Sequence, residues 1–173
     1  MDWKQETEKR VALGVDYFKQ GYNCSQSVAL AFADWYDVPV GLMARISASY
    51  GGGIGRMRET CGSALGMFML AGLETASEEA NQEIKAQNYA AVQELAARFK
   101  EVTGSIVCKE LLGLNKRRAD GTLPEIVITS TPEARTDEYY RKRPCVRMVE
   151  TAIRIYMQWL EQRPTKRTLQ AES

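Results

Sequence analysis

Apolar positions along the chain recur mostly at helical spacing. Trp3, Val11, Val15 and Phe18 stand among Lys, Glu and Gln with Gly21 as a stop, which predicts an amphipathic first helix over residues 3–19. Asn23 caps a second helix over about 24–36, carrying Val28, Leu30, Ala31, Phe32 and Trp35, and Pro39 opens a third that runs to about Tyr50. The run Gly51–Gly55 then breaks the pattern. A fourth helix capped by Thr60 is apolar almost all round, through Leu65, Phe68, Met69 and Leu73, as expected of a central element. Ser77 starts the longest helix, to about 102, with Ile84, Ala91, Leu95 and Phe99 facing inward and Gly104 closing it, and Ser105 caps a short one. From Gly113 to Pro144 periodicity disappears, and only Ile126–Thr129 reads as strand-like. Pro144 begins a last helix to about Gln162, and a frayed tail is expected after Pro164. The expected fold is therefore all-α: one helical bundle of about six to seven helices with one long irregular loop, 113–144.

Composition narrows the chemistry. The chain of 173 residues is long enough to bury a core without disulfide staples, so its four cysteines need another explanation. It opens MDWKQETEKR, unlike a secretory signal, and its longest apolar stretch, Ala64–Leu73, is far short of the roughly 20 residues that span a bilayer. A soluble cytoplasmic protein is expected, where cysteine clusters lean toward redox or metal chemistry. A net charge of +1 gives no bulk reason for a nucleic-acid or membrane partner, and no membrane insertion is expected. With no histidine, Ser-His-Asp and Cys-His pairings and His-ligated zinc are excluded.

Sulfur is what remains. Cys24, Cys61, Cys108 and Cys145 each fall in the first turn of a predicted helix, where unpaired N–H groups and the positive dipole end favour thiolate. No C-x-x-C is present, so a thioredoxin-type dithiol, a zinc ribbon and a ferredoxin run are all excluded. Four separated thiols can still converge at one end of a bundle, to cycle between dithiol and disulfide or, alternatively, to hold zinc or an iron–sulfur cluster. The glycine loop feeding Cys61 supplies candidate anion-binding residues, Gly52, Gly53, Gly55, Arg56 and Gly62, with Arg58 alongside, while its glycine spacing fits neither the dinucleotide nor the P-loop motif. Gly62 and Gly66 leave the fourth helix a bare face for a closely packed neighbour. Of two basic clusters, Lys116-Arg117-Arg118 reads as a solvated run, and Arg141-Lys142-Arg143 lies just before Pro144-Cys145, placed to lower a thiol pKa or attract an anion.

Asn23-Cys24-Ser25-Gln26, the glycine loop with Cys61-Gly62-Ser63-Ala64-Leu65-Gly66, Cys108-Lys109-Glu110-Leu111-Leu112-Gly113 and Pro144-Cys145 together resemble the C_GCAxxG_C_C family of redox-active proteins. The resemblance runs from about residue 10 to 160, with Ser63 in place of the family alanine. It implies an all-helical domain whose four cysteines match Cys24, Cys61, Cys108 and Cys145 and whose motif glycines match Gly62 and Gly66. It also implies partners among transporter components, near which members are often encoded. The combined expectation is an oxidoreductase, electron-transfer partner or redox sensor that exchanges with a partner protein or small thiol and needs no cofactor. In it Cys61 attacks, with a pKa below the ordinary thiol value, and Cys24 or Cys145 resolves. The excursion 113–144 is expected to cover the thiols.

Overall fold

The first helix of the computed structural model, α1 (Trp3–Lys19), is capped by Asp2, whose carboxylate accepts from the Gln5 N–H. The structure describes residues 1–164, so the expected frayed tail after Pro164 lies outside the described residues. The later helices are α2 (Cys24–Leu30), α3 (Val40–Ser47), α4 (Gly62–Thr75), α5 (Gln82–Thr103), α6 (Cys108–Leu111), α7 (Asp137–Lys142) and α8 (Cys145–Glu161), with a 3-10 turn at Ala48–Tyr50. No strand occurs among the described residues, and the fold is all-α. Buried side chains form one cluster in which α2 packs against α1, α3, α4 and α8, and α5 against α4 and α8.

Several expected boundaries move, each for a local reason. Helix α2 stops at Leu30, and residues 31–37 continue as tightened turns in which Phe32, Ala33 and Trp35 donate to carbonyls three residues back. The Ala31 carbonyl is taken by Arg10. That guanidinium is fully buried: it pairs with Asp34 and with Glu6 (2.5 Å) and lies over the rings of Phe32 and Trp35. Helix α5 starts at Gln82, because Asn81 accepts from the N–H groups of Glu83 and Ile84, whereas Ser77 only donates to the Glu79 carbonyl. Ile126–Thr129 is not a strand. It has no neighbouring chain to pair with, and Val127 and Ile128 are exposed. The excursion ends in α7, capped by Thr136, so the irregular part is shorter than expected and the described helices number eight.

Helices α2 and α4 approach closely. A Cβ on Gly66 would lie 2.8 Å from the Ser25 carbonyl oxygen and 3.0 Å from Val28 Cβ, so only glycine admits this contact. Gly72, two turns along the same helix, has open space around it. Gly66→Ala is therefore expected to destabilise the protein by about 1–3 kcal/mol through overpacking. Gly72→Ala should stabilise it by up to about 1 kcal/mol through helix propensity. Urea unfolding of the two variants against the parent checks this, and equal effects would mean the α2–α4 contact is not tight.

Candidate functional site

Each cysteine sits at a helix start. Cys24, Cys108 and Cys145 are the first residues of α2, α6 and α8, and Cys61 is the capping residue of α4. Thr60, expected as that cap, instead forms a lone β-bridge with Val107. Asn23 and Gln26 cap α2 reciprocally: the Asn23 side chain accepts from Gln26 N–H and the Gln26 side chain from Asn23 N–H, both at 3.0 Å. Around Thr60, Cys61 N–H donates to the Ile106 carbonyl at 2.7 Å and Cys108 N–H to the Glu59 carbonyl at 2.6 Å, which docks the start of α6 against the start of α4.

The glycine loop is a left-handed turn. Gly52, Gly53, Ile54, Gly55 and Arg56 have φ from 54° to 73°, and Arg58 has 64°. For an L-residue this backbone costs about 1–2 kcal/mol, most for β-branched Ile54. The N–H groups of residues 54 to 59 are spent on backbone carbonyls, among them Gly55 to Ser49 at 2.8 Å and Glu59 to Gly53 at 3.0 Å. At these positions the loop therefore differs from the expected cradle of free N–H donors. It delivers the side chains of Arg56 and Arg58 instead. Gly53 admits Cys108, whose Cβ would stand 2.6 Å from an added Cβ. Gly62 admits Cys24: a Cβ there would overlap the Cys24 sulfur and lie 2.8 Å from the Tyr50 carbonyl oxygen.

These contacts bring all four thiols to one cavity of ≈350 Å³. Gly52, Gly55, Arg56 and Gly62 line it as well, while Gly53 supports it from behind. All four cysteines are free thiols, Cys61 and Cys108 buried and Cys24 and Cys145 half-buried. Among the described residues no group of three or more cysteines and carboxylates is arranged to hold a metal ion, so the four thiols as placed do not fit the zinc or iron–sulfur alternative.

The electrostatics reverse one expectation. Burial pushes the Cys61 thiol well above its ordinary pKa and the neighbouring Cys24 adds to this. The N–H groups of Ala64 and Ser63 at the start of α4 pull the other way and do not prevail, and the sulfur makes no capping hydrogen bond. The helix terminus acts with the expected sign, but desolvation is larger. Cys108 is likewise raised by burial against the pull of Arg58, and Cys145 is pushed up to about 12 by burial and Cys24, against Arg143. In each case Cys24 is the neighbouring thiol that adds most to the rise.

Other cavity residues come from stretches without periodic signal. Glu133 accepts from Arg143 and lies 3.9 Å from Arg56 and 4.0 Å from the buried Arg58. Arg135 donates to the Tyr22 carbonyl and stacks on Phe18 and Tyr139, the latter with its hydroxyl raised to about 12 by burial and by Cys145. Arg56 holds the covering segment by donating to the Thr129 carbonyl at 3.0 Å. Of the basic run before Pro144, Arg141 and Lys142 are exposed and only Arg143 turns inward, while Lys116-Arg117-Arg118 is solvated as expected. Glu133 and Arg135 had no sequence signal beyond their place in a long aperiodic stretch.

A family model described as "Putative redox-active protein (C_GCAxxG_C_C)" matches residues 22–159. No curated protein and no solved structure matches the chain.

The raised thiols set a pH dependence. A group whose pKa is higher folded than unfolded stabilises the fold below its unfolded value and loses that contribution as pH rises through the folded one. Reduced protein is thus expected to lose stability as pH rises from about 9 through about 12, the raised value of Cys145. Urea midpoints measured under reductant across that range test this. Native Cys61 should also alkylate more slowly at pH 8 than in urea-unfolded protein, and faster labelling would overturn the burial argument.

Proposed function

The chain belongs to the C_GCAxxG_C_C family, described as redox-active, whose model spans residues 22–159, and from that premise we propose that it is a thiol–disulfide exchange protein in which Cys24 is the exchanging thiol. The observation that carries this reading is the convergence of four free thiols, from four separate helix starts, on one cavity. Cys24 takes the role that spacing and helix position assign to Cys61, because Cys61 is buried and held in the thiol form, whereas Cys24 is half-buried, lines the cavity and is within electrostatic reach of each of the others.

The reaction balances as an exchange. The Cys24 thiol gives up its proton and its sulfur bonds to one sulfur of an incoming disulfide, whose S–S bond breaks; the departing half leaves as a thiolate and takes up a proton. Cys61 or Cys145 then loses its proton and attacks the Cys24 sulfur, and the second half departs as a thiol. Two electrons pass from the protein dithiol to the incoming disulfide. A redox partner protein or a small-molecule disulfide can supply the oxidant, and a cytoplasmic setting with reducing thiols would return the dithiol form. Opening of the 113–136 segment admits water to Cys61, Cys108 and Cys145 and lowers their pKa by removing the desolvation that raises them.

Treating reduced protein with a small disulfide should remove two titratable thiols reversibly, and peptide mapping should find Cys24 in the new bond. Cys24→Ser should keep its helical circular dichroism and lose that reversible disulfide. Four thiols still titrating in the oxidised parent would overturn the exchange reading, and a rapid reversible disulfide in the Cys24→Ser variant would overturn the role of Cys24. Because the oxidised form is held by a bond beneath the cover, limited proteolysis between Lys116 and Arg143 should be slower in oxidised than in reduced protein; equal cleavage would mean that the segment does not respond to the thiols.

A further inference from the structure

Resting on the exchange reading, we infer that the cavity takes a small disulfide bearing a carboxylate, which replaces the Glu133 side chain among Arg56, Arg58 and Arg143. Positive charge at the cavity exceeds negative. The lining carries four arginines, Arg56, Arg58, Arg135 and Arg143, against one carboxylate, Glu133. The arginines repel one another: Arg56 has its pKa lowered by burial and then by the charges of Arg58 and Arg143. Three of the thiols, Cys61, Cys108 and Cys145, do not supply the missing negative charge near neutral pH, since burial holds them protonated. A partly buried cation cluster of this kind is stabilised by an anion brought from outside.

Glu133 shows what kind of anion fits. Its carboxylate bonds to Arg143 and lies within 4.0 Å of the other two guanidinium groups, a geometry that suits carboxylate recognition. Yet it belongs to the irregular covering segment, and its side chain is 47 % exposed, so it can leave for water at little desolvation cost. Two polar atoms of the lining are also buried without a hydrogen-bond partner, Ser63 Oγ and Arg135 Nη1. Native proteins seldom leave such atoms unpaired, and both are donors for a ligand acceptor. Phe18 and Met148 supply an apolar wall for a carbon skeleton. The volume of ≈350 Å³ is at the low end of the roughly 300–1,000 Å³ of small-molecule sites, which favours a small disulfide over a protein loop. The exchange step is the one already balanced, with this ligand as the oxidant and its two halves leaving as small thiols, at least one of them a carboxylate.

Reduced protein is mixed separately with dithiodipropionate, which is anionic, hydroxyethyl disulfide, which is neutral, and cystamine, which is cationic. Each oxidation rate is divided by the rate of the same reagent with mercaptoethanol. The anionic probe should exceed the neutral one by about tenfold or more, with the cationic one slowest. Glu133→Gln should raise the anionic-to-neutral ratio several-fold, and Arg143→Gln should bring it toward one. Because the readout is a ratio within each variant, general loosening of the cover cancels. Equal normalised rates for the anionic and neutral probes overturn the inference while leaving thiol exchange intact. Failure of every probe to form a protein disulfide overturns the exchange reading, and the inference with it.

Discussion

The contact on which the rest of the site depends is that of α2 with α4 across a face bared by Gly62 and Gly66. A side chain at either position would push the helices apart, and α2 carries Cys24 at its first residue while Cys61 caps α4. One packing constraint thus sets both helix spacing and the meeting of two thiols. The left-handed glycine turn extends it: residues 58–61 emerge beside the start of α6, where backbone hydrogen bonds from Cys61 and Cys108 add the third thiol. Strained L-residues persist in that turn because the surrounding hydrogen bonds hold them, and their side chains include the arginines of the cavity.

Two opposing electrostatic effects meet at the sulfurs. Helix N-termini and arginines favour thiolate, while removal of water favours thiol, and at Cys61, Cys108 and Cys145 the second is larger. The balance is not fixed by the helices, whose dipoles stay where they are. It is set by how much water the cover admits. The segment that carries Glu133 and Arg135 therefore controls both parts of the site at once, satisfying the arginines with its carboxylate and keeping the thiols dry. On the proposed exchange reading, moving it changes charge and hydration in the same direction, toward reactive sulfur.

Elsewhere the fold is held by interactions unrelated to sulfur. Arg10, wholly buried, ties α1 to the turns after α2 through Asp34 and the Ala31 carbonyl, while Glu6 on α1 itself steadies the guanidinium. Toward the other end of α4, the Tyr36 hydroxyl lies 2.8 Å from the Glu74 carboxylate and hydrogen-bonds with the Tyr156 hydroxyl, which itself lies 3.0 Å from the Leu70 carbonyl. These buried polar contacts orient α8 on α4 and so fix where Cys145, at the other end of α8, enters the cavity.

What the sequence determined by itself was whatever rests on local periodicity and caps. Helical spacing marked α1, α4, α5 and α8, Asn23 marked the start of α2, and the absence of histidine with four cysteines at helix starts directed attention to thiol chemistry. The glycines four apart on α4 announced a close neighbour. The identity of that neighbour, the left-handed hand of the glycine turn, and the choice of Arg143 over Arg141 and Lys142 as the inward-facing cation were decided by the tertiary structure. So were the burial that raises the Cys61 pKa and the arrival of Glu133 and Arg135 from an aperiodic stretch. The physical reason is one of range: a cap or a helical stripe is encoded within a few residues, whereas desolvation and charge compensation depend on atoms from segments up to a hundred or more residues away.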